Sequence, residues 1–433
     1  MSHSGSFDEN RLYLGTFKAS VNDRWLSLSQ ADRRRHMYVI GQTGSGKSTL
    51  LNNCIWQDIL AGRGFAFIDP HGDSAELIID SIPKQRTRDV VYLNPSDIDF
   101  PLGFNPLRGV PKDLQASATA NLIAAFRSIW RESWGPRMEH ILSNTIVALM
   151  AYPENQGISL LAIPKMLTDD RFRRRVLRHV KDPVVLEFWQ DEFERYDHRH
   201  RADIVSPILN KIGAFARSPA LRNILGQGRS TFDLSYVMDN RKILIVNLSK
   251  GVLGEDMTNL LGSLLVCAIQ QEAMKRATRP EHTREDFHLY IDEFQNFTTD
   301  AFDSIVSEAR KYRLSLCIAH QYLDQLSNKV RQAILGNVGN LIFFTLSGSD
   351  ASTLAIETKP FHAQTLREQA RGDMLVRHIR DGISRQPELL SGTIMELRTG
   401  SRKRIINHSR SRFGKPRAKV EERIERWVKN QSM

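Results

Sequence analysis

Between residues 37 and 50 the chain reads MYVIGQTGSGKSTL: an apolar run, a glycine-rich loop ending in Lys-Ser-Thr, and the start of a helix with apolar periodicity. GxxxxGKS directly after a strand and directly before a helix is the context that makes the pattern a phosphate-binding loop rather than a chance turn. Glycines at 41, 44 and 46 admit backbone angles closed to other residues, so successive N–H groups can converge on an anion at a helix N-terminus. The expected nucleotide-binding set is Gly41, Thr43, Gly44, Ser45, Gly46, Lys47, Ser48 and Thr49. Lys47 supplies a point charge for the β and γ phosphates and Ser48 a hydroxyl for a metal ion, which makes ATP and Mg2+ the implied ligands.

The rest of the chain fits the fold that such a loop demands. Short β-branched and aromatic runs recur between amphipathic helical segments: MYVIG at 37–41, FAFID at 65–69, VVYLN at 90–94, KILIVNL at 242–248, FHLYID at 287–292, SLCIA at 315–319 and NLIFFTL at 340–346. This alternation predicts an α/β fold with a mainly parallel sheet covered by helices on both faces. Between the third and fourth runs lie some 150 residues with few strand signals. Lys112–Trp130 and Arg137–Ala151 there have helical periodicity, and Ser159–Leu225 is helix-rich and charged, so an inserted all-α domain is expected. The predicted organisation is 1–156, the first part of the ATPase domain; 157–228, the insertion; 229–397, the second part of the ATPase domain; and 398–433, a basic tail ending in a linker and a short helix.

A phosphate loop also changes how other polar residues read. FHLYIDEF ends a strand with two carboxylates, Asp292 and Glu293. Alone, such a pair is as often a turn former or a helix cap. Beside a phosphate loop it is what an ATPase needs for holding the metal shell and polarising the attacking water. Two more polar residues follow, Arg310 in SEARKYR and Gln321 after SLCIAH. Asp69, His71 and Asp73 in DPHGD follow the second run, where a plain turn explains them almost as well as a role near the nucleotide. His198 and His200 are two apart and would not share a helix face, which argues against a metal site there.

The set GQTGSGKST, DPHGD, LYIDEF, EARKYRLSLCIAHQ and SRSRFGKPRAKVEE resembles the HerA/FtsK superfamily, and within it is most similar to the TraD/TraG/VirD4 coupling ATPases of type IV secretion and conjugation. The resemblance runs from about Arg35 to Glu425. It implies a RecA-like P-loop fold, a homo-oligomeric ring, usually a hexamer, with ATP at each subunit boundary, and DNA passing through the centre. By matched position Lys47 and Ser48 would bind phosphate and metal, Asp292 would hold the metal, Glu293 would activate water, Gln321 would sense the γ-phosphate, and Arg310 would be an arginine finger reaching into the neighbour's site. The bland reading of Arg310 is a solvated helix charge beside Lys311 and Arg313.

Composition bounds the rest. Hydrophobic residues at 41% and charged residues at 25% match a globular protein. The formal net charge of +11 favours polyanionic partners, and residues 398–433 hold twelve Lys/Arg against three Glu. Cys54, Cys267 and Cys317 lie in or beside apolar runs without metal-ligand spacing and read as buried thiols. Neither a secretory signal nor a membrane span is read, so a cytoplasmic location is expected, with recruitment to the inner membrane left to a secretion or conjugation partner. Two other functions use the same nucleotide chemistry: a VirB4-like ATPase energising protein secretion, and a HerA-like ring that uses nucleotide as a switch to regulate a nuclease or defence partner.

Overall fold

The computed structural model describes residues 8–18, 24–299, 302–394 and 398–431; the first seven residues of the N-terminal stretch read as lacking a signal lie outside them. Thirteen strands are present among the described residues: β1 Arg11–Phe17, β2 Trp25–Ser29, β3 Met37–Ile40, β4 Gly64–Asp69, β5 Val90–Leu93, β6 Ile243–Asn247, β7 Phe287–Ile291, β8 Leu314–His320, β9 Asn340–Phe343, β10 Asp373–Arg377, β11 Ile379–Arg380, β12 Ile383–Ser384 and β13 Glu388–Ser391. Each of the seven apolar runs singled out in the sequence forms one of them. Eleven strands make one sheet in the order β2-β1-β13-β10-β9-β3-β8-β7-β4-β6-β5.

The sheet has two characters. From β9 through β3, β8, β7 and β4 to β6 every neighbouring pair is parallel, and every residue of these strands is buried. That is the pattern of a sheet covered on both faces, and it explains why the sequence there is continuously apolar rather than alternating. From β9 outward to β10, β13, β1 and β2 all pairs are antiparallel. Here burial alternates along β1 and β2, as in a half-covered sheet. Gly15 breaks the register of β1 with β2, and a Cβ at that position would lie 2.6 Å from the Ser391 carbonyl oxygen. Only glycine lets β1 pass that close to β13.

Contacts divide the chain into two compact units. One comprises residues 1–92, 234–247 and 272–406 and holds the sheet, apart from the last residue of β5. Its core includes Val39 of β3, Phe65 and Phe67 of β4, Ile245 of β6, and Leu51, Cys54 and Ile55 of the helix Lys47–Leu60. Under this helix sits a closed ionic network. Asp58, fully buried, accepts two hydrogen bonds from Arg33 at 2.8 Å, one from Arg63 at 2.7 Å and one from the Tyr290 hydroxyl at 2.6 Å. Burial alone would raise the pKa of Asp58, but Arg33 and the other cations overcome it and hold the carboxyl well below its ordinary range.

The other unit comprises residues 93–233, 248–271 and 407–433 and is helical. The sequence reading set the edges of the insertion at 157 and 228, whereas these contacts place 93–156 with the same unit. Aspartates cap three of its helices: Asp169 before Asp170–Leu177, Asp182 before Pro183–Glu187, and Asp197 before His198–Arg217. Its core is built on Phe172, Trp189 and Phe193, with the fully buried Arg173 guanidinium 5.1 Å from the Phe193 ring. The C-terminal segment is more helical than expected. A helix spans Arg402–Arg412 and a second Arg417–Gln431, so the linker reduces to residues 413–416. The three cysteines are buried and free, as expected.

Candidate functional site

β3 delivers the phosphate loop at its C-terminal end. A Cβ on Gly41 would fall 2.5 Å from the Phe344 Cβ and 2.9 Å from the Ser45 hydroxyl, so the loop can close only with glycine there. Gly46, at φ +125°, is the N-cap of Lys47–Leu60, whose first turn has no acidic residue to compete for its N–H groups. Lys47 is buried and its ammonium donates to the carbonyls of Gly41 at 2.8 Å and Gln42 at 3.1 Å. Burial lowers the Lys47 pKa, against the opposing pull of the Glu293 and Asp292 carboxylates.

Those carboxylates come from β7. The backbone N–H of Asp292 donates to the Ile68 carbonyl at 3.2 Å, which fixes its position beside β4. The Ser48 hydroxyl donates to its carboxylate at 2.7 Å. Burial raises the Asp292 pKa, and the neighbouring Asp69 and Glu293 carboxylates raise it further, while the Ser48 hydrogen bond opposes them. Glu293 is buried at φ +46°, in the left-handed region, and one carboxylate oxygen accepts from the Gln321 amide at 2.9 Å, the other from Gln295 at 2.6 Å. Gln321 reaches Glu293 because it directly follows β8, the strand inserted between β3 and β7.

Lys47, Ser48, Asp292, Glu293 and Gln321 therefore meet at one end of three adjacent strands. Asp69 belongs to the same electrostatic group but has structural work as well. Its carboxylate accepts from the N–H groups of His71 and Ala75, both at 2.9 Å, shaping the turn into the helix Asp73–Asp80. His71 and Asp73 are exposed. Arg310 is not part of this cluster. It lies exposed in the turn Ala309–Tyr312, just before β8, and forms no ion pair among the described residues. β8 is seven residues long, so Arg310 sits beyond the opposite end of the strands, on the order of 20 Å from the end that holds Gln321.

The sequence reading missed two parts of the site. Gln295 was not singled out, although it lies two residues past Glu293 and holds it. The second is the far wall of a cavity of about 500 Å3 in front of the loop, lined by Gly46, Lys47 and Ser48 on one side and by Arg371, Gly372, Met374 and Thr393 on the other. Gly372, at φ +87°, donates its N–H to the Ser45 carbonyl at 3.0 Å and ties this wall to the loop. The only signal for it was an Arg-Gly pair before a strand.

A family model described as the central domain of the helicase HerA matches residues 25–269. The chain belongs to the HerA helicase family. A second model, described as the TraM recognition site of TraD and TraG, matches residues 286–359 of this HerA-family chain. The type 4 coupling protein DotL of Legionella pneumophila is 21% identical over 395 residues, covering 76% of this chain and 49% of DotL, so the chain spans about half the length of that relative. Among solved structures, the plasmid coupling protein TrwB in complex with ADP and Mg2+ aligns with a TM-score of 0.63 at 14% identity, over 92% of this chain and 99% of TrwB. VirB4 of Thermoanaerobacter pseudethanolicus aligns with a TM-score of 0.58 at 13% identity, over 92% and 100%. The expected RecA-like P-loop fold and HerA/FtsK membership both hold, and type IV coupling proteins are among the proteins this chain is similar to.

Proposed function

We propose that this P-loop ATPase hydrolyses ATP with Mg2+ in a homo-oligomeric ring, on expectation a hexamer, and uses the cycle to bind and move DNA in the manner of a conjugation or secretion coupling ATPase. One observation carries the reading. The groups needed to hold and hydrolyse ATP meet at one end of the central strands, while Arg310, which also matches the family's catalytic pattern, stands without an ion pair among the described residues beyond their other end. This arrangement supports a site completed by the Arg310 of another subunit.

The donor set fits Mg2+. Ser48 and Asp292 offer hard oxygens 2.7 Å apart, and three carboxylates gather where only Lys47 opposes them. Such a cation would be held by one carboxylate, one hydroxyl, water and the nucleotide's own phosphates. When bound, such a cation neutralises charge on the β and γ phosphates. Lys47 and the loop N–H groups orient those phosphates, Glu293 takes the proton of the attacking water, and Gln321 ties that base to the end of β8.

DNA as substrate rests on the formal charge of +11 and on the DotL and TrwB likenesses. No helix among the described residues is long and apolar enough to cross a membrane. This reading keeps recruitment to the inner membrane by a protein partner, and the match at 286–359 supports engagement of a TraM-like partner there. The test is ATP hydrolysis by the purified chain with and without DNA. Stimulation by DNA supports the motor. Turnover indifferent to DNA favours a VirB4-like secretion ATPase, which the VirB4 alignment supports.

A further inference from the structure

Within the helical unit, the turn Glu154–Gln156, the stretch around Gly228 and the helix Arg417–Gln431 enclose a second cavity, of about 280 Å3. Three cations line it, Arg229, Lys415 and Arg423, against a single carboxylate, Glu154. None of the three cations forms an ion pair among the described residues. Their neighbours differ: Arg410 pairs with Asp97 at 2.7 Å, Arg417 with Glu421 at 2.8 Å, and Arg426 with Glu422. Burial lowers the pKa of the Lys415 ammonium, and the charge of Arg423 lowers it further. Trp427 also lines the cavity and packs edge-on against Phe172 at 6.1 Å, with its indole N–H buried and without a partner. Arg108, which interacts electrostatically with Glu154 and Arg229, donates to the Tyr152 carbonyl at 2.7 Å, while its Nε and Nη2 are buried without partners.

Like charges brought together repel, and buried donors left without acceptors cost about 1–3 kcal/mol each. Both costs fall if an anion binds among them. We propose that this cavity is a phosphate-binding site, separate from the nucleotide loop, that takes a phosphate group carried by either a small free ligand or a nucleic-acid strand. The donors come from three separate stretches of chain, at 229, 415 and 423–427, and so suit a tetrahedral group with several acceptor oxygens better than a flat carboxylate. The surplus of cations over Glu154 is also matched by the charge of a phosphate monoester, about −1.5 to −2. The site stands whether or not the motor reading does, because no residue of it serves the hydrolysis of ATP.

The test uses the full chain carrying Lys47→Ala, so that the nucleotide loop does not dominate binding. Calorimetric titrations compare inorganic phosphate, a 5′-phosphorylated trinucleotide, and the same trinucleotide without the terminal phosphate. Saturable phosphate binding is expected, weakened about tenfold or more by Arg423→Gln and by Arg229→Gln. Both side chains are exposed, so unchanged thermal unfolding should show that the variants keep the fold. Trp427 fluorescence should shift with saturation. Preference for the phosphorylated trinucleotide identifies a strand terminus as the source, equal binding of both trinucleotides identifies backbone phosphates, and binding of inorganic phosphate alone identifies a small free ligand. Each of these supports the site, provided the binding is lost in Arg423→Gln. Absence of saturable binding, equal displacement by acetate or chloride, or full affinity in both arginine variants overturns it.

Discussion

Two clusters of buried carboxylate chemistry lie in the same α/β unit and are built on opposite plans. Around Asp58, two arginines and a tyrosine hydroxyl supply a donor for every direction in which the carboxylate can accept, and its pKa falls. Around Asp292, two further carboxylates crowd the same space, one lysine faces them, and the Asp292 pKa rises. The first cluster is complete without any ligand. The second holds its charges in an arrangement that becomes favourable only when phosphates and a cation join it. Buried charge by itself therefore does not mark a site; a sign imbalance left standing does.

This contrast can be broken by experiment, most sharply through catalysis. Glu293→Gln should reduce ATP turnover by about 10²–10⁴-fold while nucleotide affinity is kept, read by steady-state hydrolysis beside equilibrium binding. Parental turnover would remove Glu293 from the mechanism. Arg310→Ala should also keep affinity and lose hydrolysis, by up to about a thousandfold. Mixing Arg310→Ala with Glu293→Gln subunits should restore part of the activity, since some boundaries then pair an intact Glu293 with an intact Arg310. Single-site hydrolysis in mixed rings is the readout, and no recovery at any ratio would argue against action between subunits.

Stability separates the two clusters next. Asp58→Ala leaves Arg33 buried without its carboxylate and should cost about 3–5 kcal/mol in denaturant unfolding. Acid should act on the same unit through His36 and His320, held by burial at about 4, and His288, held at about 3. These bases are neutral in the fold and have lower pKa values there than in the unfolded chain. Their contribution is therefore full above about 6.5 and is lost as pH falls from there toward 4, by about 2 kcal/mol per histidine at pH 5. A flat stability profile between pH 7 and 5 would contradict their burial. Asp292→Asn should show the smallest effect on stability: within about 1 kcal/mol of the parent without nucleotide, because it relieves repulsion instead of stranding a cation. A loss as large as that of Asp58→Ala would show the two clusters to be alike after all.

How much of this was legible in the sequence follows from burial. The parallel strands β3, β4, β6, β7, β8 and β9 are covered on both faces, so each reads as an unbroken apolar run. The antiparallel flank did not announce itself. DMLVR and ELLS are only five and four residues long and mix polar with apolar residues, so neither reads as a continuous apolar run or as a clear alternation in one sequence. The wall formed by Arg371, Gly372 and Thr393 comes from that flank and was lost with it. Lys47, Ser48, Asp292 and Glu293 were readable because phosphate chemistry fixes residue type and spacing together. Gln295 has no such constraint; an amide two residues past a carboxylate gains meaning only from the left-handed turn at Glu293 that folds it back. The basic tail was visible as charge, but not the pairing of Arg410, Arg417 and Arg426 that leaves Arg423 and Lys415 unmatched.

β8 places Gln321 at one end and Arg310 just beyond the other, joined by seven buried residues clamped between β3 and β7. A fully hydrogen-bonded central strand is among the stiffest parts of a protein, so the two ends cannot move independently. If the proposed ring forms, a change that the γ-phosphate makes at Gln321 in one subunit would reach the arginine offered to the next. Each subunit would then act as a relay with a fixed sense, receiving at its own nucleotide and signalling to one neighbour only, and the order of firing around the ring would be written into the direction of a single strand.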